Sequence, residues 1–434
     1  LKSTKTILKI LRKSDVVDSG ALGYVLLIQG ALNLVERGQG GRIQTTHLDI
    51  SYEIEKIENL HKDIDFIIEN KFCTECVIIG KNINHKELKS KIKDFGDSMV
   101  IAGSNKRVKV HIHTNEPAKL FKMCNVYGSV KDKKVDDMTK QEKSMHHDGA
   151  SSIAIVTDST ADLPDDYLKE VQVASVKYSF GRQQHIDKVT QTNEEFYNQM
   201  SSDPNHPKTS QPTPRDFIKL YNFVSSHYKN IISIHLSKAV SGTYQSAING
   251  SKNIINSNIG LIDSSTAGVG LGLLVMHAVD LKQAGKSYSE IVSSLESKKK
   301  DTQLYLLLYD LTYAVRGGRL PSKIKTISNL FGLTPILTTK GGKLKPAGVL
   351  WGRANIIEKF SKFLVKKINP QSRYRILVAH ANSYDNGKKL ENKLLNNITN
   401  IDSSSLLELG GGLGCHAGPG ALTVGIQKID EEIK

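Results

Sequence analysis

The segment Ile153-Ala-Ile-Val-Thr-Asp-Ser-Thr-Ala-Asp-Leu-Pro decides the fold class of this chain. An apolar run leads directly into a loop of hydroxyls and carboxylates, which is typical of a buried parallel strand that ends where a helix starts. The pattern recurs at residues 231–244 and 260–268. Strands that alternate with helices predict a parallel sheet with helices on both faces.

The sequence beyond residue 300 has a different pattern of predicted strands. Its strand candidates are more widely spaced and lie at residues 305–309, 334–338, 344–350, 375–380 and 421–427. This spacing predicts a second lobe with a mixed α+β structure. We therefore expect an α/β module over residues 152–434, with a parallel three-layer lobe at about 152–300 and a mixed lobe at about 301–434.

The residues before this module predict two smaller units. Alternating strands and short helices between residues 47 and 130 indicate a small α/β domain. Mixed charges with Gly and Ser at residues 131–151 are typical of a linker. Residues 1–40 look like the remnant of a helical domain, and the chain begins with Leu1. We expect that the sequence is a fragment of a longer protein.

Composition excludes several classes of protein. The net charge of +15 over 434 residues is spread along the chain, whereas a nucleic-acid-binding protein concentrates its basic residues locally. Four cysteines without a regular framework predict a reducing compartment. The longest apolar run, residues 267–279, is too short to span a bilayer. We expect a cytoplasmic protein that binds no nucleic acid and has at most transient membrane contact.

Four loops of the first lobe are rich in hydroxyl groups, and they contain Asp158, Thr209, Ser241 and Ser264. On a single loop such residues would usually only cap a helix. Ligands of parallel sheets bind where strands end and helices begin, and helix N-termini attract anions. Four such loops on one sheet edge predict a shared anion pocket.

Two glycine-rich segments of the second lobe carry groups that suit an anion. They are Val315-Arg-Gly-Gly-Arg-Leu and Leu413-Gly-Cys-His-Ala-Gly-Pro-Gly-Ala-Leu. Glycine permits close approach of the backbone to a ligand, and Arg or His can supply charge. Either segment alone would be better explained as a tight turn with a surface Arg.

Five ordered segments resemble the signatures of the DegV family of bacterial fatty-acid-binding proteins. They are Val156-Thr-Asp-Ser-Thr-Ala-Asp-Leu, Thr209-Ser-Gln-Pro-Thr, Ser241-Gly-Thr-Tyr-Gln-Ser-Ala, Arg316-Gly-Gly-Arg-Leu and His416-Ala-Gly-Pro-Gly-Ala. The resemblance covers residues 152–434. Lys238 and Thr213 stand where the family more often has Ser.

The resemblance implies a two-lobed fold with a long-chain fatty acid in a tunnel between the lobes and no cofactor for lipid binding. It implies that the carboxylate is bound by Thr209, Ser210, Ser241 and Gly242. Arg316 and His416 would lie near the head group, where a phosphoryl group is added or removed. The chain would then be a lipid-binding component that presents its ligand to an ATP-dependent kinase domain or subunit.

The upstream residues resemble parts of such a kinase. Asp18-Ser-Gly-Ala-Leu-Gly is similar to the end of a dihydroxyacetone-kinase-like domain. Phe72-Cys-Thr-Glu and Val108-Lys-Val-His-Ile-His-Thr-Asn-Glu-Pro are similar to the middle domain of the fatty acid kinase subunit. The acidic cluster that holds Mg-ATP in that kinase would lie upstream of Leu1.

The middle domain also offers a candidate metal site. His111 and His113 are two residues apart on a predicted strand and therefore project from one face, and Cys73 lies on another strand with Cys76 close behind. The family resemblance implies zinc bound by Cys73, His111 and His113. A buried Cys beside two half-exposed His residues is an equally good explanation, because no fourth ligand is evident.

Two enzymatic alternatives stay open at this point. One is a hydrolase that uses Ser241, His416 and an acidic residue such as Asp158, although the segment around Ser241 lacks a nucleophile elbow. The other is an active fatty acid or dihydroxyacetone-type kinase, which requires the domain upstream of Leu1.

Overall fold

The computed structural model describes residues 19–37, 68–139 and 153–429. Residues 19–37 form one helix, α1 (Ser19–Arg37). Most of the predicted linker, including His146 and His147, lies outside the described residues. Within the described residues, no helix is long and apolar enough to cross a membrane.

A small domain with one sheet follows. Its elements are β1 (Phe72–Ile79), α2 (His85–Ile92), a 3₁₀ turn (Lys93–Phe95), β2 (Gly96–Ser104), β3 (Arg107–Thr114), α3 (Pro117–Asn125) and β4 (Ser129–Asp137). The strands form a four-stranded sheet in the order β2-β3-β1-β4. Alternation places Val108, Val110 and Ile112 of β3 in the core, and the opposite face carries Lys109, His111 and His113.

The charged residues 131–137, which we predicted as part of a linker, belong to β4. The linker prediction was therefore wrong for these residues. β4 pairs with β1 on one side only and forms an edge of the sheet. Edge strands tolerate charged side chains, which remain in contact with water and discourage pairing with other chains. A run of mixed charge is therefore compatible with a strand at this position.

The first lobe contains the predicted parallel sheet. Its strands are β5 (Ile153–Asp158), β6 (Val171–Ala174), β10 (Asn230–His235) and β11 (Asn258–Asp263), in the order β11-β10-β5-β6. All three pairings are parallel. The helices of this lobe are α4 (Asp165–Leu168), α5 (Asn193–Ser202), α6 (Pro214–Ser225), α7 (Thr243–Ser251), α8 (Gly268–Gln283) and α9 (Tyr288–Lys298).

One of the four hydroxyl-rich loops is not at the edge of the parallel sheet. Residues Lys208–Ser210 form strand β9 of a separate antiparallel sheet with β7 (Lys177–Phe180) and β8 (Gln183–Ile186), in the order β8-β7-β9. A three-residue strand gives too little alternation to be read from sequence. Its position depends on pairing with β7, in which Thr209 lies opposite Tyr178.

The second lobe has the predicted mixed sheet. Its strands are β12 (Thr302–Leu307), β13 (Leu333–Lys340), β14 (Lys343–Trp351), β15 (Arg373–His380), β16 (Ile401–Glu408) and β17 (Leu422–Ile429). They lie in the order β14-β13-β12-β17-β15-β16, and only β15 and β16 pair in parallel. The helices are α10 (Thr312–Arg316), α11 (Ser322–Phe331), α12 (Ile356–Val365), α13 (Tyr384–Asn397) and α14 (Gly411–Ala417).

Helix α8 lies between the two large sheets. Its residues are apolar on all sides, and nearly all of them are buried. One core therefore joins Leu271 and Leu274 of this helix with Ile234 of the first lobe and Leu304 and Leu377 of the second. A helix that is apolar all around must be enclosed by protein. The shared core fixes the two lobes against each other and positions the loops between them.

Candidate functional site

A cavity of about 330 Å³ lies between the lobes. Most side chains that line it are aliphatic, and they come from both lobes: Val176, Leu236, Val240, Ala267, Leu304, Leu306, Leu308, Ala314, Leu344, Leu409, Leu413 and Ala417. Leu304 and Leu306 are two apart on β12, so both project from the same face of the mixed sheet. The cavity suits a ligand with a long apolar portion.

Polar groups converge at one region of this cavity. Thr209, Ser210 and Ser241 line it together with Gln211 and His416. Thr209 is held by the pairing of β9 with β7, and Ser241 by the turn that precedes α7. The Ser241 Oγ accepts a hydrogen bond from the Thr243 N–H at 3.2 Å. Three of the four residues predicted to bind a carboxylate therefore reach one cavity.

His416 lies next to these hydroxyls. Its Nε2 is 3.0 Å from the Thr209 Oγ1, and its Nδ1 has no hydrogen-bond partner among the described residues. Burial, assisted by the nearby Arg319 and His206, lowers the pKa of His416 to about 3. The imidazole is therefore neutral near pH 7 in the absence of a ligand, and it contributes a hydrogen bond to this site instead of the charge that the sequence suggested.

The glycines of the Arg316-Gly-Gly-Arg segment allow this arrangement. A Cβ atom on Gly317 would overlap the imidazole of His416 at Nδ1. Gly317 has an ordinary φ of −74°, so it is required here for close approach and not for a special backbone conformation. Helix α10 thus packs directly against the ring of His416.

Two predicted site residues do not line the cavity. Gly242 precedes α7 as its N-cap, and the side-chain amide of Gln211 occupies the space where a Cβ of residue 242 would lie. Arg316 ends α10 outside the lining, whereas Arg319 is the arginine that lines the cavity. Sequence reasoning missed Gln211 and Arg319, although both belong to the motifs that carry Thr209 and Arg316.

The three residues of the hydrolase hypothesis bond to other partners. Asp158 is fully buried and accepts hydrogen bonds from His235 Nδ1 and from the Leu236 N–H, both at 3.1 Å. The Ser241 Oγ is 3.0 Å from the hydroxyl of Thr243, and His416 bonds to Thr209. No nucleophile–base pair of the kind that hydrolases require is formed by Ser241 and His416.

A cluster of buried carboxylates supports the helix that carries His416. Asp187 accepts hydrogen bonds from the Ser159 hydroxyl at 2.7 Å and from the Gly412 N–H at 2.9 Å. Lys188 binds Asp162 at 2.8 Å. Burial raises the pKa of Asp187 and of Asp162, while Lys188 acts in the opposite direction. These bonds fix the start of α14 against the loop after β5.

The candidate metal ligands Cys73, His111 and His113 also come together. One ligand atom of each lies within 4.8 Å of the others. Burial, followed by the charge of Asp136, raises the pKa of Cys73, and burial with His111 lowers the pKa of His113. Cys76 cannot join the cluster because alternation along β1 turns it into the core.

Two carboxylates flank the histidines of this cluster. Glu75 Oε1 is 3.2 Å from His111 Nδ1, and Asp97 Oδ1 is 3.5 Å from His113 Nδ1. Metal-binding histidines commonly donate their second ring N–H to a carboxylate, which fixes the tautomer that leaves the other nitrogen free for the metal. The His111 Nδ1 also lies 4.0 Å from the Cys73 Sγ. Cys73, His111 and His113 therefore offer three ligands of the types that suit a divalent metal such as zinc.

Comparison with known proteins places both parts of the chain. The model of the DegV family of uncharacterised proteins matches residues 152–428, and the model of the FakA-like middle domain, named for a fatty acid kinase, matches residues 69–145. A DegV domain-containing protein of Staphylococcus aureus is 32% identical over 276 residues, which are 63% of this chain and 98% of that protein. One from Halalkalibacterium halodurans is 28% identical over 275 residues, 63% of this chain and 97% of that protein.

Solved structures agree. A fatty-acid-binding DegV family protein from Thermus thermophilus superposes with a TM-score of 0.60 at 26% identity, covering 64% of this chain and 99% of that one. DegV of Bacillus subtilis, a fatty acid binding protein, superposes with a TM-score of 0.59 at 27% identity, covering 64% and 100%. The predicted α/β fold is confirmed, and the chain belongs to the DegV family, with a FakA-like middle domain before the DegV module.

Proposed function

We propose that this chain binds a long-chain fatty acid in the cavity between the lobes and presents its carboxylate to a kinase. The observation that carries the proposal is the division of the cavity into an aliphatic part and a group of hydroxyls around His416. This division matches a ligand with an apolar tail and one anionic head. The DegV relatives from Thermus thermophilus and Bacillus subtilis, which bind fatty acids, support the same ligand class.

Burial of the tail supplies most of the affinity. Each buried methylene is worth about 0.8 kcal/mol, so a chain of about fifteen methylenes offers on the order of 12 kcal/mol before the costs of binding. The leucines of β12 and α14 provide the apolar surface for this contact. We expect chain length to affect affinity more strongly than any single polar contact does.

The head group requires hydrogen-bond donors, because an unpaired carboxylate is not stable in a dry cavity. The neutral His416 can donate its Nε2–H to the Thr209 oxygen, which frees the Thr209 hydroxyl proton for the carboxylate. The opposite tautomer would place an N–H on Nδ1, where no acceptor is found in the described structure. Ser241 and Ser210 add further hydroxyls at the same cavity.

The same arrangement suits transfer of a phosphoryl group to the carboxylate. Hydroxyl donors hold the carboxylate without a strong ion pair, so that it stays nucleophilic toward a phosphate bound by a kinase. Among the described lining residues only Arg319 carries a full positive charge. We expect its guanidinium to bind the additional negative charge of an acyl phosphate. Arg316, outside the lining, is available to a partner instead. The kinase-type middle domain supports the partnership.

Native mass spectrometry of the purified chain, followed by lipid extraction, tests the ligand. We expect a bound long-chain fatty acid, or its uptake on addition. Thr209→Val and Ser241→Ala should each weaken binding about 5- to 10-fold, since each removes one hydrogen bond to an anion. Ser251→Ala, at the end of the helix that follows Ser241, is the control, because its hydroxyl bonds to the Ile248 carbonyl. Failure to take up any long-chain acid would refute the proposal.

The second proposed function is metal binding in the middle domain. Cys73, His111 and His113 would hold zinc, and Glu75 and Asp97 would orient the imidazoles. Zinc bound by side chains from β1 and β3 would stabilise the pairing of these two strands, because it binds the folded arrangement preferentially. This role concerns the middle domain and is independent of the fatty-acid cavity.

Metal content and competition with a coloured chelator test this site. We expect about one zinc per chain, and Glu75→Gln should reduce the affinity by about 10- to 100-fold, which is typical for loss of a carboxylate behind a ligating histidine. Asp94→Asn, on the neighbouring 3₁₀ turn, is the control and should leave the affinity unchanged. An equal effect of both substitutions would count against the assigned ligands.

A further inference from the structure

One hydroxyl inside the cavity has no hydrogen-bond partner. Thr423, on β17, lines the cavity and is 4% exposed, and its Oγ1 bonds to no group of the described residues. Alternation along β17 turns its neighbours Leu422 and Val424 into the core on the opposite face of the sheet. The Thr423 side chain therefore projects toward the cavity and α8.

Three other threonine hydroxyls that line the cavity have partners. The Thr339 hydroxyl donates to the Thr266 hydroxyl at 3.3 Å, and the Thr160 hydroxyl donates to Asp158. Thr209 bonds to His416. A buried hydroxyl without a partner destabilises the protein by about 1–3 kcal/mol. A polar group on the ligand that bonds to Thr423 would therefore remove this cost.

The position of Thr423 indicates which part of the ligand it contacts. It lies opposite Leu306 of β12 in the mixed sheet. Leu308 follows the end of this strand, before α10. Leu304, Leu306 and Leu308 also line the cavity. The Thr423 hydroxyl thus lies beside the aliphatic side chains of β12, where we expect the tail of the ligand.

We propose that Thr423 selects fatty acids that carry a hydroxyl group along the chain. This inference rests on the proposed fatty-acid site and specifies its ligand class. A hydroxyl on the tail loses its water on entry, and in an otherwise aliphatic cavity this loss would oppose binding. Thr423 offers one donor and two lone pairs, so it can act as donor or acceptor toward that group.

A double-mutant cycle between protein and ligand tests the inference. The full chain and its Thr423→Val variant are titrated with octadecanoic acid and with hydroxyoctadecanoic acids that differ in the position of the hydroxyl. Valine keeps the shape of threonine, so thermal melting should show that the variant folds. We expect the substitution to weaken the binding of at least one mid-chain isomer on the order of tenfold more than it weakens the binding of octadecanoic acid.

Thr339→Val is the matched control, because its hydroxyl lines the same cavity but already has a partner. It should change the affinities of all the acids by the same factor. Two results would overturn the inference while leaving fatty-acid binding intact. In the first, Thr423→Val weakens the binding of every acid by the same factor. In the second, the unmodified chain binds no hydroxy isomer more tightly than the variant does. If neither octadecanoic acid nor any isomer binds, the proposed function itself fails, together with the inference that rests on it.

Discussion

Among the described residues, the cluster of His416 and its neighbours at the cavity and the cluster of His111 and His113 lie in opposite surroundings. His416 borders an aliphatic cavity whose only fully charged lining residue, among those described, is Arg319. His111 and His113 lie on a half-exposed sheet face beside the carboxylates of Glu75 and Asp97. The same side chain thus meets a hydroxyl and a cation in one cluster and carboxylates and a thiol in the other.

This difference decides what each histidine can do. Burial near a cation keeps His416 neutral, and its Nε2 shares a hydrogen bond with the Thr209 hydroxyl. A carboxylate behind an imidazole orients it and increases its basicity, which is the environment of a metal ligand. The surroundings of the imidazole, and not the residue type, therefore separate the proposed site for an anionic ligand from the proposed site for a cation.

The largest expected effect is that a substitution in each cluster weakens the binding of one ligand and leaves the other unchanged. His111→Ala should reduce zinc affinity by about 100-fold or more, because it removes one of three ligands, and it should leave fatty-acid affinity unchanged. His416→Gln should weaken fatty-acid binding and leave zinc unchanged. Chelator competition and fatty-acid titration on both variants measure this. If either variant affected both ligands equally, the two clusters would not be independent.

The dependence of stability on pH should come next in size. The pKa of His416 in the folded protein is about 3, below the value of about 6.5 for an unfolded histidine. Above pH 6.5 His416 is neutral in both states, and as the pH falls from 6.5 toward 3 the unfolded chain is protonated first, which lowers the free energy of unfolding. Partial exposure of the side chain moderates the slope, and we expect roughly 0.5–1 kcal/mol per pH unit.

Urea unfolding of the ligand-free chain between pH 7 and 4.5 measures this slope, and His416→Gln should flatten it. His185, whose pKa burial lowers to about 4, titrates in the same window and will contribute a slope that His416→Gln does not remove. An identical slope in the variant and the unmodified chain would show that His416 is not held neutral.

A smaller effect is expected from Gly317→Ala. The new methyl group would collide with the His416 ring, so the ring must move away from Thr209. We expect about a tenfold loss of fatty-acid affinity, equivalent to about one hydrogen bond to an anion, with no change in zinc binding. In the background of His416→Gln the same substitution should cost less, and equal losses in both backgrounds would contradict the assigned contact.

The smallest effect separates the two arginines. Arg319→Gln should weaken binding of an acyl phosphate about three- to fivefold more than that of the fatty acid, because an exposed charge pair contributes only about 0.2–1 kcal/mol. Arg316→Gln is the matched control for intrinsic binding and should change neither, since it does not line the cavity. A larger effect of Arg316→Gln would restore the prediction made from sequence.

The sequence by itself determined the fold class and the main composition of both clusters. The strands β5, β10 and β11 are short apolar runs that end in hydroxyl-rich loops, and such runs are stable only when covered on both faces. The projection of His111 and His113 from the same face of one strand likewise depends only on their spacing in the sequence. These features depend on neighbours in the chain and can be predicted without coordinates.

Only the tertiary structure decided which groups meet. The Thr209–His416 bond joins residues 207 positions apart, and the choice of Arg319 over Arg316 depends on how a five-residue helix packs against α14. The pairing of β4 with β1, and the Thr423 hydroxyl without a partner, follow from contacts across sheets. Sequence patterns report the periodicity of one element, whereas a site depends on distances between elements, which packing of the shared core sets.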